Sequence, residues 1–218
     1  MPSDSTLAII GTAGRKNDAA LLAADPERFA ERMLAAALKV ADRTKTNHLV
    51  SGGAAWADHV AVWLFLSDPT RFTLQIEAPA PFVTAGTGGL EYADTGERDF
   101  IKNPGGTSNH YLRAFADTLG LARPEWSPFI DFALVAGHPR ATIRVTHGFQ
   151  PRNLLVAQST HALAMTFGGG RVLQDGGTAK TMTAFLARPD HGESYHLDLG
   201  AMRMHAGAQV GGSASRQA

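Results

Sequence analysis

Short apolar runs typical of β-strands alternate along the chain with longer segments whose apolar residues recur at helical spacing. The strand-like runs are TLAIIG (6–11), HLVSGG (48–53), RFTLQIEAPAPF (71–82), HALAMTF (161–167) and SYHLDLG (194–200). Helical spacing marks residues 26–44, 54–66, 108–120 and the segment GGTAKTMTAFLA that begins at 176. Strands that alternate with helices in this way predict an α/β fold, in which a mostly parallel sheet has helices on both faces.

Three stretches interrupt this alternation. Residues 83–106 are rich in Gly, Thr and Asp, and residues 121–148 contain several prolines, so we interpret both as insertions around the core rather than as sheet elements. Insertions of this length are often lids or partner surfaces, and disorder is an equal alternative for the first. The small, polar tail at 206–218 is predicted to be disordered. A single domain is therefore expected over residues 1–205.

Composition narrows the class of protein. The 218 residues are 44% hydrophobic, which is enough for a well-buried core, and the 20 basic residues are balanced by 20 acidic ones. This balance argues against a general nucleic-acid binder. The absence of cysteine excludes disulfides and thiolate chemistry. With neither a signal-peptide pattern at the N-terminus nor an apolar run of roughly 20 residues, the expectation is a cytoplasmic protein that does not partner a membrane.

The segment VLQDGGTAKTMTAF (172–185) resembles a phosphate-binding loop without meeting its requirements. A Walker A loop needs Gly, four residues and then Gly-Lys-Ser/Thr, because unhindered N–H groups cradle the phosphates. Lys180 and Thr181 supply the last two positions, but Gln174 and Ala179 stand where glycines are required. The glycines of this segment therefore need another explanation.

Three glycine-bearing turns lie at predicted strand-to-helix junctions. In an open parallel sheet such turns share one edge, and a helix N-terminus there favours an anion. One such turn is weak evidence, because α/β proteins also use glycine turns for steric reasons, but three together suit a nucleotide phosphate. The candidate ligand-binding residues of these turns are Gly11, Thr12, Gly14 and Arg15 in the first, Ser51, Gly52 and Gly53 in the second, and Gly176, Gly177, Thr178, Lys180 and Thr181 in the third.

Four segments carry a resemblance to a known family: LAIIGTAGR, HLVSGGAAWADHVAVWL, GFQPRNLLVAQSTHALAMTF and DGGTAKTM. Their order resembles the SLOG superfamily, the Rossmann-like group that includes the lonely-guy (LOG) phosphoribohydrolases, the DNA-processing protein A fold and the YpsA-like proteins. The pair Arg152 and Asn153 stands where lonely-guy enzymes have Arg-Lys. The resemblance implies a Rossmann-like three-layer domain that binds a small-molecule nucleotide or nucleotide derivative, with its phosphate at the third turn and Arg152 near the same anion or the ribose. It implies no cofactor, and it implies a homodimer, for which the apolar face around Trp63 is a weak local indication.

The chain departs from lonely-guy enzymes where those enzymes carry a catalytic glutamate. Asp175 precedes the glycines here, and Lys180 and Thr181 stand in the place of the acid. Hydrolysis of an N-glycosidic bond would need a carboxylate from elsewhere, and Asp58 and Glu77 are the candidate catalytic residues beside Arg152, with Glu91 a further candidate. A non-catalytic sensor or sponge for a nucleotide signal stays open as an alternative, and a single-stranded DNA binder of the DNA-processing type is disfavoured by the neutral charge.

Each of these charged residues also has a purely structural interpretation. Asp58 would be a favourable acid in the first turn of its helix, and Glu77 would lie on an exposed strand end. Arg152 follows Pro151 at a predicted helix start, where a positive charge is unfavourable unless an anion is near. No metal site is expected, because the nine histidines form no ligand pair of recognised spacing.

The aromatic residues divide into two groups. Trp56 and Trp63 are seven positions apart on one predicted helix face, and we interpret them as core residues. Phe82 and Tyr92, in or beside the first insertion, are better placed to stack on a base.

Overall fold

The computed structural model describes residues 5–86, 88–120, 126–167, 169–170, 172–173 and 176–210. Its strands are β1 (Thr6–Gly11), β2 (His48–Ser51), β3 (Thr73–Ala78), β4 (Phe82–Thr84), β5 (Leu90–Tyr92), β6 (Ala141–Val145), β7 (His161–Thr166), β8 (Val172–Leu173), β9 (Ser194–Asp198), β10 (Arg203–Ala206) and β11 (Gln209–Val210). Its helices are α1 (Asn17–Ala24), α2 (Pro26–Thr44), α3 (Val60–Ser67), α4 (Pro104–Gly120), α5 (Pro128–Ala136), α6 (Phe149–Val156) and α7 (Gly177–Leu186).

Within these residues, seven strands form the main sheet in the order β10-β9-β7-β1-β2-β3-β6. All neighbours are parallel except β10, which pairs antiparallel with β9. Two small two-stranded sheets, β4-β5 and β8-β11, lie outside it. The prediction of a mostly parallel α/β sheet is confirmed, and the strands predicted at 6–11, 48–53, 71–82, 161–167 and 194–200 are β1, β2, β3, β7 and β9.

Helices cover both faces of the sheet, as predicted. On one face, Leu7 and Ile9 of β1 pack in a large core with α2, α3, α4 and α5. On the other, Ala8 and Ile10 pack in a smaller core with α6 and α7. Residues 7–10 of β1 are all buried, as expected of a central strand covered on both sides. The molecule is a three-layer, Rossmann-like α/β fold.

Two predicted insertions contain more regular structure than the sequence indicated. The expectation that residues 121–148 contribute no sheet element is wrong, because β6 is a strand of the main sheet that pairs with β3. All five of its residues are at least partly exposed, since β6 is an edge strand, and a short edge strand lacks the continuous apolar run of a central one. Residues 83–106 include most of the hairpin β4-β5 and the start of α4. The predicted disorder of the tail is wrong for residues 209–210, which form β11, and residues 211–218 lie outside the described part.

The predicted helix over 54–66 begins only at Val60. Residues 55–59 form a turn instead, in which Trp56 has a left-handed backbone with φ of 56°. Asp58 therefore lies in the turn that precedes α3, not in the first turn of the helix. This turn brings the Asp58 side chain towards the sheet edge, as described below.

An aromatic cluster joins α3 to the segment that contains α4 and α5. The indole of Trp63 packs against Phe115 and Trp126, with ring centroids 5.6 and 5.5 Å away. Trp56 contacts Phe115 at 4.6 Å and is 3% exposed. The interpretation of Trp56 as a core residue is confirmed, and Trp63 is partly buried against the same core. Because these aromatic contacts of Trp63 lie within the chain, they give no support to a dimer.

None of the helices in the described ranges is long and apolar enough to cross a membrane.

Candidate functional site

The strand order reverses at β1, and this position defines the crevice where open α/β sheets bind ligands. The chain runs from β1 outwards through β2 and β3 to β6, then returns to place β7 on the opposite side of β1. The crevice lies beyond the carboxyl ends of β1 and β7. The first turn leaves β1 at this point, and the first residues of α7 reach the same place.

The first turn is held tightly against β7. The amide of Thr12 donates to the carbonyl of Met165 at 2.9 Å, and a Cβ on Gly11 would collide with that same carbonyl. The Thr12 hydroxyl donates to Asp18 at 2.5 Å and accepts from the amide of Gly14 at 3.1 Å. Because both interactions are internal, Thr12 shapes the turn.

The second turn is held by internal hydrogen bonds and by a hydrogen bond from Tyr92. The buried hydroxyl of Ser51 donates to the carbonyl of Asp58 at 2.7 Å and accepts from the amide of Gly53 at 3.0 Å. Tyr92 is fully buried, and its hydroxyl donates to the carbonyl of Gly53 at 2.8 Å. Burial raises the pKa of Tyr92 well above its ordinary value, so the phenol stays a donor. Ser51 is thus occupied within the turn, and Tyr92 is not available to stack on a base.

Arg152 lies at the centre of the candidate site. Its Nη1 donates to the carbonyl of Gly52 at 3.0 Å, and its Nε and Nη2 donate to Oδ1 of Asn153 at 3.1 and 2.8 Å. Nη1 is also 4.0 Å from Oδ2 of Asp58, and the Arg152 side chain is only 13% exposed. The guanidinium stacks over the ring of Phe149 at 5.5 Å. These contacts hold a positive charge at one position beside the second turn.

Asp58 is a buried acid beside this cation. Its side chain is 5% exposed. Burial raises its pKa above the ordinary value, because the charged carboxylate loses solvation. Arg152 opposes this effect, as do the backbone N–H groups of Ala54, Gly11 and Gly52. Asp58 therefore lies where the first and second turns meet Arg152.

The third turn reaches this junction through the first residues of α7. The Thr178 hydroxyl donates to the carbonyl of Gly11 at 2.8 Å, which ties the start of α7 to the end of β1. A Cβ on Gly177 would lie 3.8 Å from Nδ2 of Asn153, so Arg152, Asn153 and the helix start are neighbours. Gly177 is exposed, and its amide begins a ten-residue helix whose first N–H groups have no partner within the helix. This exposed helix start is the most accessible part of the junction.

The other residues predicted in the third turn have different surroundings. Thr181 donates its hydroxyl to the carbonyl of Gly177 at 2.9 Å and is buried in α7. Lys180 is exposed, and Gly176 adopts a φ of 122° that favours glycine. Asp175 and Gln174 lie outside the described residues.

Glu77 lies in the sheet rather than on an exposed strand end. It is fully buried, its Oε1 accepts from Nε2 of Gln75 at 2.5 Å, and that oxygen is 3.3 Å from Nη1 of Arg144. Its Oε2 has no hydrogen-bond partner among the described residues. Extending the β2-β3 register by one residue sets Glu77 beside Gly52. Glu77 thus neighbours the junction, but its charge is paired with Arg144 on the next strand.

The structure brings together part of the predicted site. The residues that meet at the junction are Gly11, Gly52, Asp58, Arg152, Asn153, Gly177 and Thr178. Arg15 lies apart, exposed, with its guanidinium 4.8 Å above the ring of Tyr111. Glu91 also lies apart, paired with Arg113 at 2.8 Å on the surface.

Sequence reasoning missed Asp18 and assigned Tyr92 a different role, that of stacking on a base. Asp18 accepts from the first turn, and its position near the start of a helix was the available signal. Tyr92 supports the second turn from 39 positions away, and nothing local in the sequence indicated that contact. Within the described ranges, no group of three or more His, Asp or Glu side chains is arranged to hold a metal ion.

The fold and the glycine turns at its switch point define a Rossmann-like α/β protein. No family model matches the chain. An uncharacterized protein of Acanthamoeba polyphaga mimivirus, R261, is 32% identical over 165 residues, which cover 74% of this chain and 81% of the viral protein. The chain belongs to the same family as this viral protein. The name of the viral protein states no activity, so family membership carries no function across.

Proposed function

We propose that this protein binds a nucleotide or nucleotide derivative at the carboxyl edge of its sheet, with the phosphate at the start of α7. The observation that carries the proposal is the convergence of three turns on a fixed, largely buried Arg152. A helix N-terminus and a guanidinium both attract an anion, and their effects add at one position.

The geometry also supports a role for glycine at two of the turns. The Arg152 guanidinium occupies the space that a side chain on Gly52 would fill, and the exposed glycine at position 177 places no side chain over the first N–H groups of α7. The phosphate would contact these N–H groups and the guanidinium of Arg152, whose Nη1 and Nη2 each carry a second N–H beyond the bonds to Gly52 and Asn153. Arg152 would thus reach the phosphate or the adjoining ribose.

Hydrolysis of an N-glycosidic bond is a second candidate function, and one observation favours it. Asp58 has a raised pKa and lies at the junction. A carboxyl that holds its proton at higher pH is suited to general acid catalysis, in which it would protonate the departing base. Glu77 is the less favoured acid, because Arg144 and Gln75 already engage it. Without hydrolysis, the same site would serve a sensor or sponge of a nucleotide signal.

The test is binding by calorimetry to a panel of nucleoside mono-, di- and cyclic phosphates, followed by chromatography of the incubated mixtures. Arg152→Ala is expected to weaken binding by about 1.5–3 kcal/mol, the worth of a hydrogen bond to a charged group. Arg28→Ala removes an equal charge from an exposed position on α2 and is the matched control. Gly177→Leu should abolish binding, because the added side chain would cover the helix start.

The products separate the two candidates. Free base released by the wild type and not by Asp58→Asn, with binding retained, supports the hydrolase. Nucleotide recovered unaltered supports the sensor or sponge. If no nucleotide binds at millimolar concentration, or Arg152→Ala binds as tightly as Arg28→Ala, the nucleotide proposal is refuted. Salt-sensitive binding of single-stranded DNA in place of nucleotides would favour the DNA-processing alternative.

We further propose that the protein is cytoplasmic, and that it forms a homodimer, as the resemblance to the SLOG superfamily implies. Gel filtration at several concentrations tests the second point.

A further inference from the structure

An apolar belt surrounds the β6 edge of the main sheet. Five large apolar side chains are exposed there, on α5 above one face, on β6 itself, and on α6 above the other face. They are Ile130 and Leu134 (41% and 56% exposed), Val145 (39%), and Leu154 and Leu155 (56% and 36%). A groove of about 480 Å³ lies between β6 and α6, with Val145, Leu154 and Leu155 in its walls. Apolar patches of this kind mark interaction surfaces.

The backbone of β6 is equally open to a partner. The carbonyl of Arg140 accepts from β3 and the amide of Thr146 donates to β3, so the even-numbered residues of this segment face β3. In a parallel pair, every second residue of a strand bonds to the same neighbouring strand, so the N–H and C=O groups of Ile143 and Val145 point away from β3 and out of the sheet. In the part of the chain that is described, β6 has no strand on that side. Such an edge is a template for a further strand.

The sequence of β6 complements itself about a two-fold axis through Ile143. Antiparallel pairing of two copies at this centre sets Arg144 opposite Thr142 and Val145 opposite Ala141. A two-fold axis through Thr142 would place Arg144 of one copy directly opposite Arg140 of the other. An axis through Arg144 would place the two copies of that arginine directly opposite each other. Like charges directly opposite are destabilising, so these two registers are disfavoured. The centre at Ile143 avoids that clash and pairs the whole of β6, residues 141–145, with its copy.

This register also satisfies the outward-facing backbone groups. The two copies of Ile143 exchange two hydrogen bonds, and the amide of each Val145 donates to the carbonyl of the other copy's Ala141. The amide of Ala141 takes no part in this pairing, because it already donates to the carbonyl of His138 at 3.1 Å. Four hydrogen bonds result across the axis.

We propose that the β6 edge is the interface of an isologous dimer, in which the two main sheets join through antiparallel β6 strands. The two-fold axis is perpendicular to the joined sheet, so α6 of both copies lies on one face and α5 of both on the other. Leu154 and Leu155 then meet their counterparts on one side, and Ile130 and Leu134 meet theirs on the other. Each exposed patch is covered by its own copy, as closed two-fold symmetry requires.

The first test uses the absence of cysteine in the chain. In the proposed register the two Ile143 Cα atoms are about 5.5 Å apart, a separation that a disulfide spans. The two Thr142 Cα atoms are about 8 Å apart, beyond its reach. Ile143→Cys is expected to form a covalent dimer under mild oxidation, and Thr142→Cys, the neighbouring control, is expected to remain uncrosslinked. Equal crosslinking of both variants, or none for Ile143→Cys, overturns the register.

The second test is sedimentation of the full chain from about 1 to 200 μM, a range that spans ordinary dimer affinities. The wild type is expected to sediment as a dimer at the upper concentrations. Val145→Pro removes only an outward-facing amide, and Leu134→Glu adds a charge to the belt, so each should raise the dissociation constant at least tenfold. Leu21→Glu changes a similarly exposed leucine on α1 and should leave the dimer intact.

Three results refute the proposal. They are a wild type that stays monomeric throughout, a dimer that Val145→Pro and Leu134→Glu leave unchanged, and a dimer equally weakened by Leu21→Glu. Circular dichroism establishes that the variants are folded. Because β6 lies outside the nucleotide junction, nucleotide binding by a monomeric wild type would refute the dimer alone, and a dimer without nucleotide binding would refute the proposed function alone.

Discussion

A methyl group added at Gly52 directly tests the contacts that hold Arg152. The Cβ of Gly52→Ala would lie 2.7 Å from Cζ of Arg152 and 2.7 Å from Oδ2 of Asp58, whereas ordinary contacts begin near 3.4 Å. Glycine at position 52 is not required by backbone conformation, because its φ is not in the left-handed region. The substitution therefore acts through space, on the guanidinium and the carboxylate.

The expected magnitude follows from these distances. To reach ordinary contact, the guanidinium must withdraw by about 0.7 Å, which would stretch its 3.0 Å bond to the Gly52 carbonyl to about 3.7 Å and break it. A hydrogen bond to a charged group contributes about 1.5–3 kcal/mol. Asp58 would move away from the Arg152 guanidinium at the same time. We expect Gly52→Ala to lower the free energy of unfolding by about 2–3 kcal/mol.

The assay is urea denaturation, followed by calorimetry with any nucleotide that the wild type binds. Gly177→Ala is the matched control, since among the described residues its Cβ would meet Nδ2 of Asn153 alone, at an ordinary 3.8 Å. That variant should keep its stability, because alanine is a better helix residue than glycine. Gly52→Ala should also lose affinity through the displaced Arg152. Equal stability of Gly52→Ala and Gly177→Ala would show that the packing argument around Arg152 is incorrect.

Three other substitutions test separate parts of the structure. Tyr92→Phe removes the hydroxyl that holds the buried Gly53 carbonyl and should cost about 1–2 kcal/mol in urea denaturation; no change would mean that the second turn is stable without it. Burial lowers the pKa of His196, so the unfolded chain binds a proton more readily than the folded chain, and the free energy of unfolding should fall as the pH drops through the ordinary histidine pKa of 6.5. His196→Gln should therefore flatten the dependence of unfolding free energy on pH between pH 7 and 5. An unaltered slope would contradict the assignment. Asp131→Ala leaves the buried ring of His59 without its 2.9 Å partner and should lower the thermal midpoint by several degrees, whereas an unchanged midpoint would remove Asp131 from the stabilising contacts.

Central strands and glycine turns were predictable from the sequence because their signals are local. β1 is an apolar run that ends in glycine, HALAMTF shows the same character in β7, and SYHLDLG alternates polar and apolar residues in β9. β6 was not predictable, since an edge strand is half exposed and its five residues carry no continuous apolar run. Apolar residues in a short stretch of sequence indicate that the strand is buried, and a strand at the edge of the sheet is not buried enough to give that signal.

The candidate site was predictable only in part, for a related reason. The rule that parallel strands end at one edge brings the three turns together, and the unfavourable charge of Arg152 at a helix start singled out that residue. The ion pair of Glu77 with Arg144 depends on β6 lying beside β3, which requires the strand order. The support of Gly53 by Tyr92 likewise requires the tertiary fold.

The position of β7 between β1 and β9 has a consequence for how the protein folds. The strands β1, β2 and β3 follow one another and can pair early, but the opposite edge of β1 is completed only by a segment about 154 residues away. Such distant pairing forms slowly, after a large loss of chain entropy. The junction of Gly11, Arg152 and Thr178 cannot exist before that step. A ligand of this site would therefore bind only fully folded molecules. A nascent chain on the ribosome from which β7 has not yet emerged would not contain the site.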